Sequence, residues 1–310
     1  MRNTSSLIAT RRQRRWVLGS ILVAAASMLL YVGAEAIGLR PVPSARQARA
    51  DLLQKWGRVH AYRAGVAAGN RASTFLTVVR GEQVWQRGGP FGMIEGDLAG
   101  FRSRALLEGN TWTVQYPESN LAGVYTLKDL DQVPFGRWAM TRVASIEDVI
   151  HVVESADDLK PEGWVLLPEG VRLVLRLTPK KPELPSAPKP LLEFYERNFG
   201  GPWRVFLDDR SGLPTEVRVR TGDRWDNGIR FTAIELLSDS QCAAMVEDFR
   251  GVGAVRSMRF SCSLLSEPSF YTAHEEVYSR ASSFRQKLLR GEGFQQSRLP
   301  PGRSSSPGPR

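Results

Sequence analysis

The chain has few of the residue types on which metal and nucleophilic sites depend. Among its 310 residues are two cysteines, Cys242 and Cys262, and three histidines, His60, His151 and His274, which lie far apart. The cysteines lack metal-ligand spacing. The sequence also contains no HExxH, no Gly-Lys-Ser/Thr phosphate loop and no GxSxG elbow. These absences exclude the common zinc, P-loop and serine-hydrolase patterns, and we expect no metal and no cofactor.

Paired acids are the remaining candidates for acid–base catalysis. Asp157 and Asp158 form one pair, and Asp208 and Asp209 form another. Both pairs stand where turns are expected, and turns favour Asp whether or not it is catalytic. The sequence therefore predicts no enzyme. The alternative, a hydrolase with an unrecognised site, would require a cleft that gathers polar residues from separate segments.

The net charge of +10 is confined to the two ends of the chain. Residues 1–15 carry +5 and residues 280–310 carry +6, whereas the intervening residues carry a net −1. A DNA-binding face needs Lys and Arg clustered on one folded surface, so the sequence predicts no nucleic-acid partner. Residues 291–310 are rich in Gly, Ser, Pro and Arg and are expected to form a disordered basic tail.

The chain has one long apolar run, from Trp16 to Leu39, in which Glu35 is the only charged residue. Its length suits a bilayer, and the four arginines between residues 11 and 15 predict a cytoplasmic N-terminus. We therefore expect a cytoplasmic segment 1–15, a transmembrane anchor 16–39, and a C-terminal part in the periplasm of a bacterial cell envelope. The alternative is a signal peptide cleaved near Ala36, which would leave a secreted or periplasmic protein.

Export would place both cysteines in an oxidising compartment. We predict a disulfide between Cys242 and Cys262, which would close a loop of about 20 residues and stabilise the fold by roughly 3 kcal/mol. Two unpaired buried thiols are the alternative.

The body of the chain has the pattern of an α+β protein. Ser44 is placed to cap a helix in which Ala48, Leu52 and Trp56 recur at helical spacing. Short strands joined by tight turns then indicate an antiparallel meander. The predicted strands are 74–79, 83–86, 101–107, 111–116, 122–127, 163–167, 172–178, 203–207, 215–220 and 229–237, with turns at 80–82 and 108–110 and a helix at 146–153. Residues 179–190 contain five prolines and predict a surface loop.

The pattern changes after Ser238. Residues 240–249 and 273–289 are typical of helices, and residues 254–262 are typical of a strand. We therefore expect one domain over residues 45–240 and a helix and strand extension over residues 241–290.

Aromatic side chains are concentrated on the predicted strands. If the sheet curls without being filled, these side chains would line an apolar pocket suited to acyl chains. The candidate ligand-binding residues are Phe75, Phe101, Trp112, Tyr116, Tyr125 and Phe231.

Two stretches carry a resemblance to a known family. In the first, residues 106–120, a turn at Gly109 precedes a strand that contains Trp112 and Tyr116 and ends at Pro117. In the second, residues 206–214 end in a Gly-Leu-Pro turn, and residues 230–236 are similar to a closing strand. Over residues 45–240 the chain resembles the LolA-like, outer-membrane lipoprotein-sorting (lipoprotein carrier) proteins. It differs from them in its anchor, its proline-rich loop and about 50 further residues after 240.

The resemblance implies an unclosed half-barrel, a curved antiparallel sheet wrapped over helices, whose concave face holds a lipid or the acyl chains of a lipoprotein. The sequence thus predicts a membrane-anchored, lipid- or lipoprotein-binding protein. Related members of the fold sense envelope stress and bind a membrane-anchored regulator. The alternative is therefore an envelope-sensing or protein-interaction module with a filled core, no lipid ligand and an envelope protein as its partner.

Overall fold

The computed structural model describes residues 40–68, 79–98, 101–184, 186–251 and 256–289. Over these ranges the chain forms twelve strands and six α-helices. The strands are β1 Ala61–Ala68, β2 Val79–Gln86, β3 Phe91–Leu98, β4 Phe101–Glu108, β5 Thr111–Tyr116, β6 Leu121–Leu127, β7 Lys160–Leu167, β8 Gly170–Leu177, β9 Trp203–Asp208, β10 Pro214–Thr221, β11 Arg224–Leu237 and β12 Arg256–Cys262. The helices are α1 Ala45–Trp56, α2 Gly136–Thr141, α3 Ile146–Ser155, α4 Lys189–Phe199, α5 Asp239–Gly251 and α6 Phe270–Leu289.

All twelve strands belong to one sheet. Their order is β12-β6-β5-β4-β3-β2-β1-β11-β10-β9-β8-β7. Neighbouring strands are antiparallel except β12, which lies parallel to β6. Strands β12 and β7 stand at opposite edges of this sheet, so it is unclosed over the described residues. The predicted α+β class and the unclosed antiparallel sheet are confirmed.

The two faces of the sheet are covered differently. The inner face carries the main hydrophobic core, to which α1, α2, α3, α4 and α6 all contribute buried side chains. The outer face carries two smaller clusters, in which Ala61 and Val84 pack with Cys242, and Leu106 packs with Val246 and Phe249 of α5. Successive strand residues point to opposite faces, which is why Ala61 and Tyr62 belong to different clusters.

Local signals in the sequence explain where the first helices begin. The Ser44 hydroxyl accepts a hydrogen bond from the Gln47 N–H at 3.2 Å and caps α1, which buries Leu52 and Trp56. Helix α3 begins with a capping box, in which Ser145 accepts from the Asp148 N–H and Asp148 accepts from the Ser145 N–H. Such caps stabilise a helix by about 1 kcal/mol each.

The structure differs from the sequence prediction in the first half of the sheet. The predicted turn at 80–82 is wrong, because Gly81 lies inside β2, paired with Val66 on one side and Gly96 on the other. Strands β1 and β3 and helices α2 and α4 were not predicted. Strand β3 contains two glycines, which weaken a strand pattern when it is read locally.

The predicted extension joins the same sheet and core. Strand β12 pairs with β6 over seven residues, and Phe270, Val277 and Ala281 of α6 belong to the main hydrophobic core. The predicted anchor, 16–39, and the predicted tail, 291–310, lie outside the described residues. Among the helices that the structure describes, none has the length and apolarity needed to cross a bilayer.

Candidate functional site

A row of mostly aromatic side chains crosses seven neighbouring strands on the inner face. Strand register pairs each member with the next, and we call this set the aromatic row. Its members, in order from the β12 edge, are Phe260, Tyr125, Trp112, Leu107, Phe91, Trp85 and Tyr62. The six from Tyr125 to Tyr62 are at most 4% exposed, and Phe260 at the edge is half-buried.

Helix α6 covers the β12 end of the aromatic row. The Phe270 ring lies 5.5 Å from Trp112 and 5.4 Å from Tyr125, measured between centroids. The His274 ring lies 5.3 and 5.8 Å from the same two residues in edge-on contacts, and its Nδ1 is 3.4 Å from the Tyr125 hydroxyl oxygen. On the other side, Tyr125 stacks on Phe260 at 5.5 Å. Phe270 and His274 therefore occupy the space over Trp112 and Tyr125 that a ligand would need.

Helices α1 and α3 cover the opposite end of the row. The Trp85 ring lies 4.7 Å from Trp56 of α1 and 5.5 Å from Tyr62. The Trp85 indole donates to Glu147 at 3.0 Å. The Tyr62 hydroxyl donates to Gln83 at 2.8 Å and accepts from the Ile146 N–H at 2.9 Å. Because these buried polar groups are paired with protein atoms, this end of the row is a fixed part of the core.

Burial keeps the polar groups at the α6 end uncharged. Burial and the nearby Arg142 charge lower the pKa of His274 to about 4. Burial also raises the pKa of Tyr116 and Tyr125 above the usual value for tyrosine. At neutral pH these three side chains carry no charge, so the contact between α6 and the sheet is apolar with a few neutral polar atoms. That chemistry suits a hydrocarbon chain better than an ion.

Helix α6 is attached through a short segment held by one buried carboxylate. Asp129 accepts hydrogen bonds from the Ser263 hydroxyl at 2.5 Å and from the N–H groups of Leu264 and Leu265, both at 2.9 Å. Ser263 also accepts from the Ser266 N–H at 2.8 Å. This turn fixes the backbone at Ser263, seven residues before α6 begins at Phe270.

The structure brings three of the six predicted ligand-binding residues together. Trp112, Tyr116 and Tyr125 lie on β5 and β6, point to the inner face and are buried beneath α6. Phe231 is also buried, but it lies on β11, beyond the other end of the row. Phe101 lies on β4, and Phe75 is outside the described residues. Whether any of them binds a ligand stays a prediction.

Sequence reasoning missed the residues that cover this group. Phe260, Phe270 and His274 come from the predicted extension, more than 130 residues after Tyr125 along the chain. Residues 273–289 were predicted to form a helix, but nothing in the sequence indicates the face of the sheet against which that helix packs.

Two cavities open elsewhere on the surface. One of about 370 Å³ lies between α1 and the start of β7 and is lined by Arg46, Arg49, Leu53 and Leu159 among others. The other, of about 270 Å³, lies beside Phe231, Arg172 and Glu216. Ligand pockets usually measure about 300 to 1,000 Å³, and neither cavity is lined by a member of the aromatic row. The members of the aromatic row from Tyr125 to Tyr62 are at most 4% exposed, so protein covers the row in the described part of the chain.

The predicted disulfide is absent from the structure. Cys242 and Cys262 are both free and buried. Cys242 belongs to an outer-face cluster and Cys262 to the main core on the inner face, so the sheet separates the two sulfur atoms. Burial raises the pKa of the Cys262 thiol to about 11 and also raises that of Cys242, which keeps both thiols protonated and unreactive.

The paired acids have structural partners. Asp158 accepts from the N–H and hydroxyl of Thr178 at 2.7 and 2.6 Å. Asp208 accepts from the Ser211 N–H and pairs with Arg172 at 2.5 Å. Burial alone would raise the pKa of Asp208, but these contacts lower it. Among the described residues, no group of three or more His, Cys, Asp or Glu could hold a metal ion.

No protein-family model matches the sequence, and no curated protein sequence matches it. Solved structures with a similar arrangement include LprF from Mycobacterium bovis, with 11% identity, a TM-score of 0.42, and coverage of 64% of this chain and 99% of that one. They also include the lipoprotein LppX from Mycobacterium tuberculosis, with 11% identity, a TM-score of 0.36, and coverage of 60% and 91%.

A third is an outer membrane lipoprotein-sorting protein domain from Vibrio parahaemolyticus, with 11% identity, a TM-score of 0.27, and coverage of 65% and 98%. The family that the sequence resembles is thus represented among the similar structures.

Proposed function

We propose that this chain is a membrane-tethered protein of the bacterial cell envelope that binds the acyl chains of a lipid or of an acylated protein. The observation that carries the proposal is the α6 end of the aromatic row, where Trp112, Tyr116 and Tyr125 form an uncharged surface covered by a single helix. The tether is the apolar segment Trp16–Leu39, with residues 1–15 in the cytoplasm and the sheet in the periplasm.

Because α6 already occupies the space over Trp112 and Tyr125, an acyl chain binds by displacing α6. Moving each CH₂ out of water contributes about 0.8 kcal/mol, so a chain of about 14 carbons contributes roughly 10 kcal/mol before ordering costs. Undocking α6 exposes Phe270, Val277 and Ala281, which are at most 1% exposed when docked. Their exposure costs about 5 kcal/mol on the same scale. Before the ordering costs are counted, the gain from a long acyl chain exceeds the cost of exposing these three side chains, whereas the gain from a short chain does not.

Photocrosslinking tests this proposal with the full chain. The protein is reconstituted in phosphatidylcholine vesicles that contain a phospholipid with a diazirine on one acyl chain, and crosslinked peptides are identified by mass spectrometry. We expect crosslinks in residues 101–127 and 256–281 in addition to the tether. Peptides from α4 and β9, residues 189–208, serve as an internal control and should stay unlabelled. An absence of crosslinks in residues 101–127 and 256–281 would refute acyl binding, even if residues 16–39 are labelled.

A second function is favoured by the helices that cover the inner face of the sheet. If α6 stays docked on the sheet, the chain is a protein-interaction or envelope-sensing module whose partner docks on the outer surface. Arg218 and Arg220 lie on one charged strand; Arg218 is bonded to Glu216 at 2.7 Å and stacks on Phe206 at 4.6 Å, whereas Arg220 is exposed. The same photocrosslinking experiment separates the two functions, because this module would show no acyl crosslink on β5, β6 or α6.

A further inference from the structure

The first described residues of the chain are packed against the edge strand β7. The Trp164 indole N–H donates to the Pro41 carbonyl oxygen at 3.4 Å. The Arg40 guanidinium lies 5.3 Å above the centre of the Trp164 ring and forms an ion pair with Asp209. Val42 lies beside Gly163 of the same strand. Residues 40–42 are therefore part of the folded body and do not form a free linker.

Exposed apolar side chains gather at this contact. Val42 is 51% exposed and Leu166 is 57% exposed, and they are two of the four large exposed hydrophobic residues in the part of the chain that the structure describes. Leu166 follows Trp164 by two residues on β7 and so shares its face. We call Arg40, Val42, Trp164 and Leu166 the β7 rim.

Chain connectivity places the β7 rim next to the proposed tether. The apolar segment ends at Leu39, and Arg40 is the next residue. Since Arg40 already contacts Trp164, no spacer separates the end of the tether from the sheet. A tether that spans the bilayer holds Arg40 at the headgroup level, and Trp164 lies within one side-chain length of it. Tryptophan and arginine are the residue types that favour this interfacial layer.

We propose that the β7 rim is seated in the periplasmic headgroup layer of the bilayer that holds the tether. This inference rests on the tether of the proposed function and adds which edge of the sheet meets the lipid. The Trp164 ring and the Leu166 and Val42 side chains lie in the interface, and Arg40 keeps its charge at the polar level. The sheet is thereby held with β7 at the membrane and β12, at the opposite edge, away from it.

An environment-sensitive fluorophore on a single new cysteine tests the orientation. The full chain carrying Leu166→Cys is labelled with a nitrobenzoxadiazole group and reconstituted in phosphatidylcholine and phosphatidylglycerol vesicles. Leu236→Cys is the matched control, because Leu236 is 60% exposed and lies on β11, four strands from β7. The unsubstituted chain is the labelling blank, since both native thiols are buried.

We expect a blue shift of the Leu166→Cys label and loss of its emission when nitroxide-labelled lipid is added, with neither change for the Leu236→Cys label. A label at Val42→Cys should behave like the one at Leu166→Cys. A chain that does not float with vesicles lacks the tether, and the inference then fails together with the proposed function. If the chain floats but the labels at 166 and 236 respond alike, the tether stands and the seating of the β7 rim is overturned.

Discussion

The substitution of Phe270 by Ala tests whether α6 can be displaced from the sheet or is a permanent part of the core. Phe270 is 1% exposed and packs on Trp112 and Tyr125. Truncating a buried Phe to Ala destabilises its surroundings by about 3 to 5 kcal/mol. If α6 undocks as a unit, this loss falls mainly on its docking, and 3 kcal/mol raises the undocked fraction about 150-fold.

The apparent affinity for an acyl chain rises in proportion to that fraction while undocking remains rare. We therefore expect F270A to increase crosslinking of β5 and β6 to the diazirine lipid and to speed amide hydrogen exchange in α6, while exchange in β9 changes little. Phe199→Ala is the matched control, because Phe199 is 3% exposed and packs on Trp138 and Trp203 away from α6. The reasoning is refuted if F270A crosslinks no more than F199A, or if exchange accelerates uniformly across the sheet.

Three further predictions concern His274, the turn before α6 and the two buried thiols. The pKa of His274 falls from about 6.5 to about 4 on folding, so the stability it contributes is present above pH 6.5 and is lost as the pH falls towards 4. The loss reaches about 3 kcal/mol and should appear as lower α6 protection factors at pH 4.5 than at pH 7, each measured exchange rate being compared with the intrinsic rate at the same pH; a His274→Phe variant with the same pH response would contradict this. Asp129→Asn should weaken the turn before α6 by about 1 to 3 kcal/mol and lower the melting temperature, whereas Asp131→Asn at an exposed position should not; equal shifts would rule out the anchoring role. Finally, iodoacetamide without reductant should leave Cys242 and Cys262 unmodified in the folded chain and alkylate both after denaturation, and a denatured chain that stays unmodified would restore the disulfide.

The sequence was informative wherever a local signal matched the final structure. The alternation that places Trp112 and Tyr116 on one face and the turn at Gly109 predicted β4 and β5 within a residue of their ends. The Ser44 and Ser145 caps located the starts of α1 and α3. In these places, backbone preference, side-chain pattern and tertiary packing all favour the same conformation.

Prediction failed where the outcome depends on distant parts of the chain. Gly81 has the local character of a turn, yet it is held inside β2 by pairing on both sides. Cys242 and Cys262 are only 20 residues apart, but α5 and β12 place them on opposite faces of the sheet. Likewise, no pattern within residues 270–289 shows that α6 covers Trp112 and Tyr125.

The parallel pairing of β12 with β6 has a consequence for the order in which the molecule assembles. A ribosome releases β6 long before β12, because the contact between Asp129 and Ser263 spans 134 residues. Contacts of such separation form late, since the closure entropy of a long loop must be overcome first. Until residues 256–281 have been made, a growing chain lacks the strand and the helix that cover Trp112 and Tyr125. A chaperone or a first lipid could meet the apolar surface in that interval, before α6 exists to compete for it.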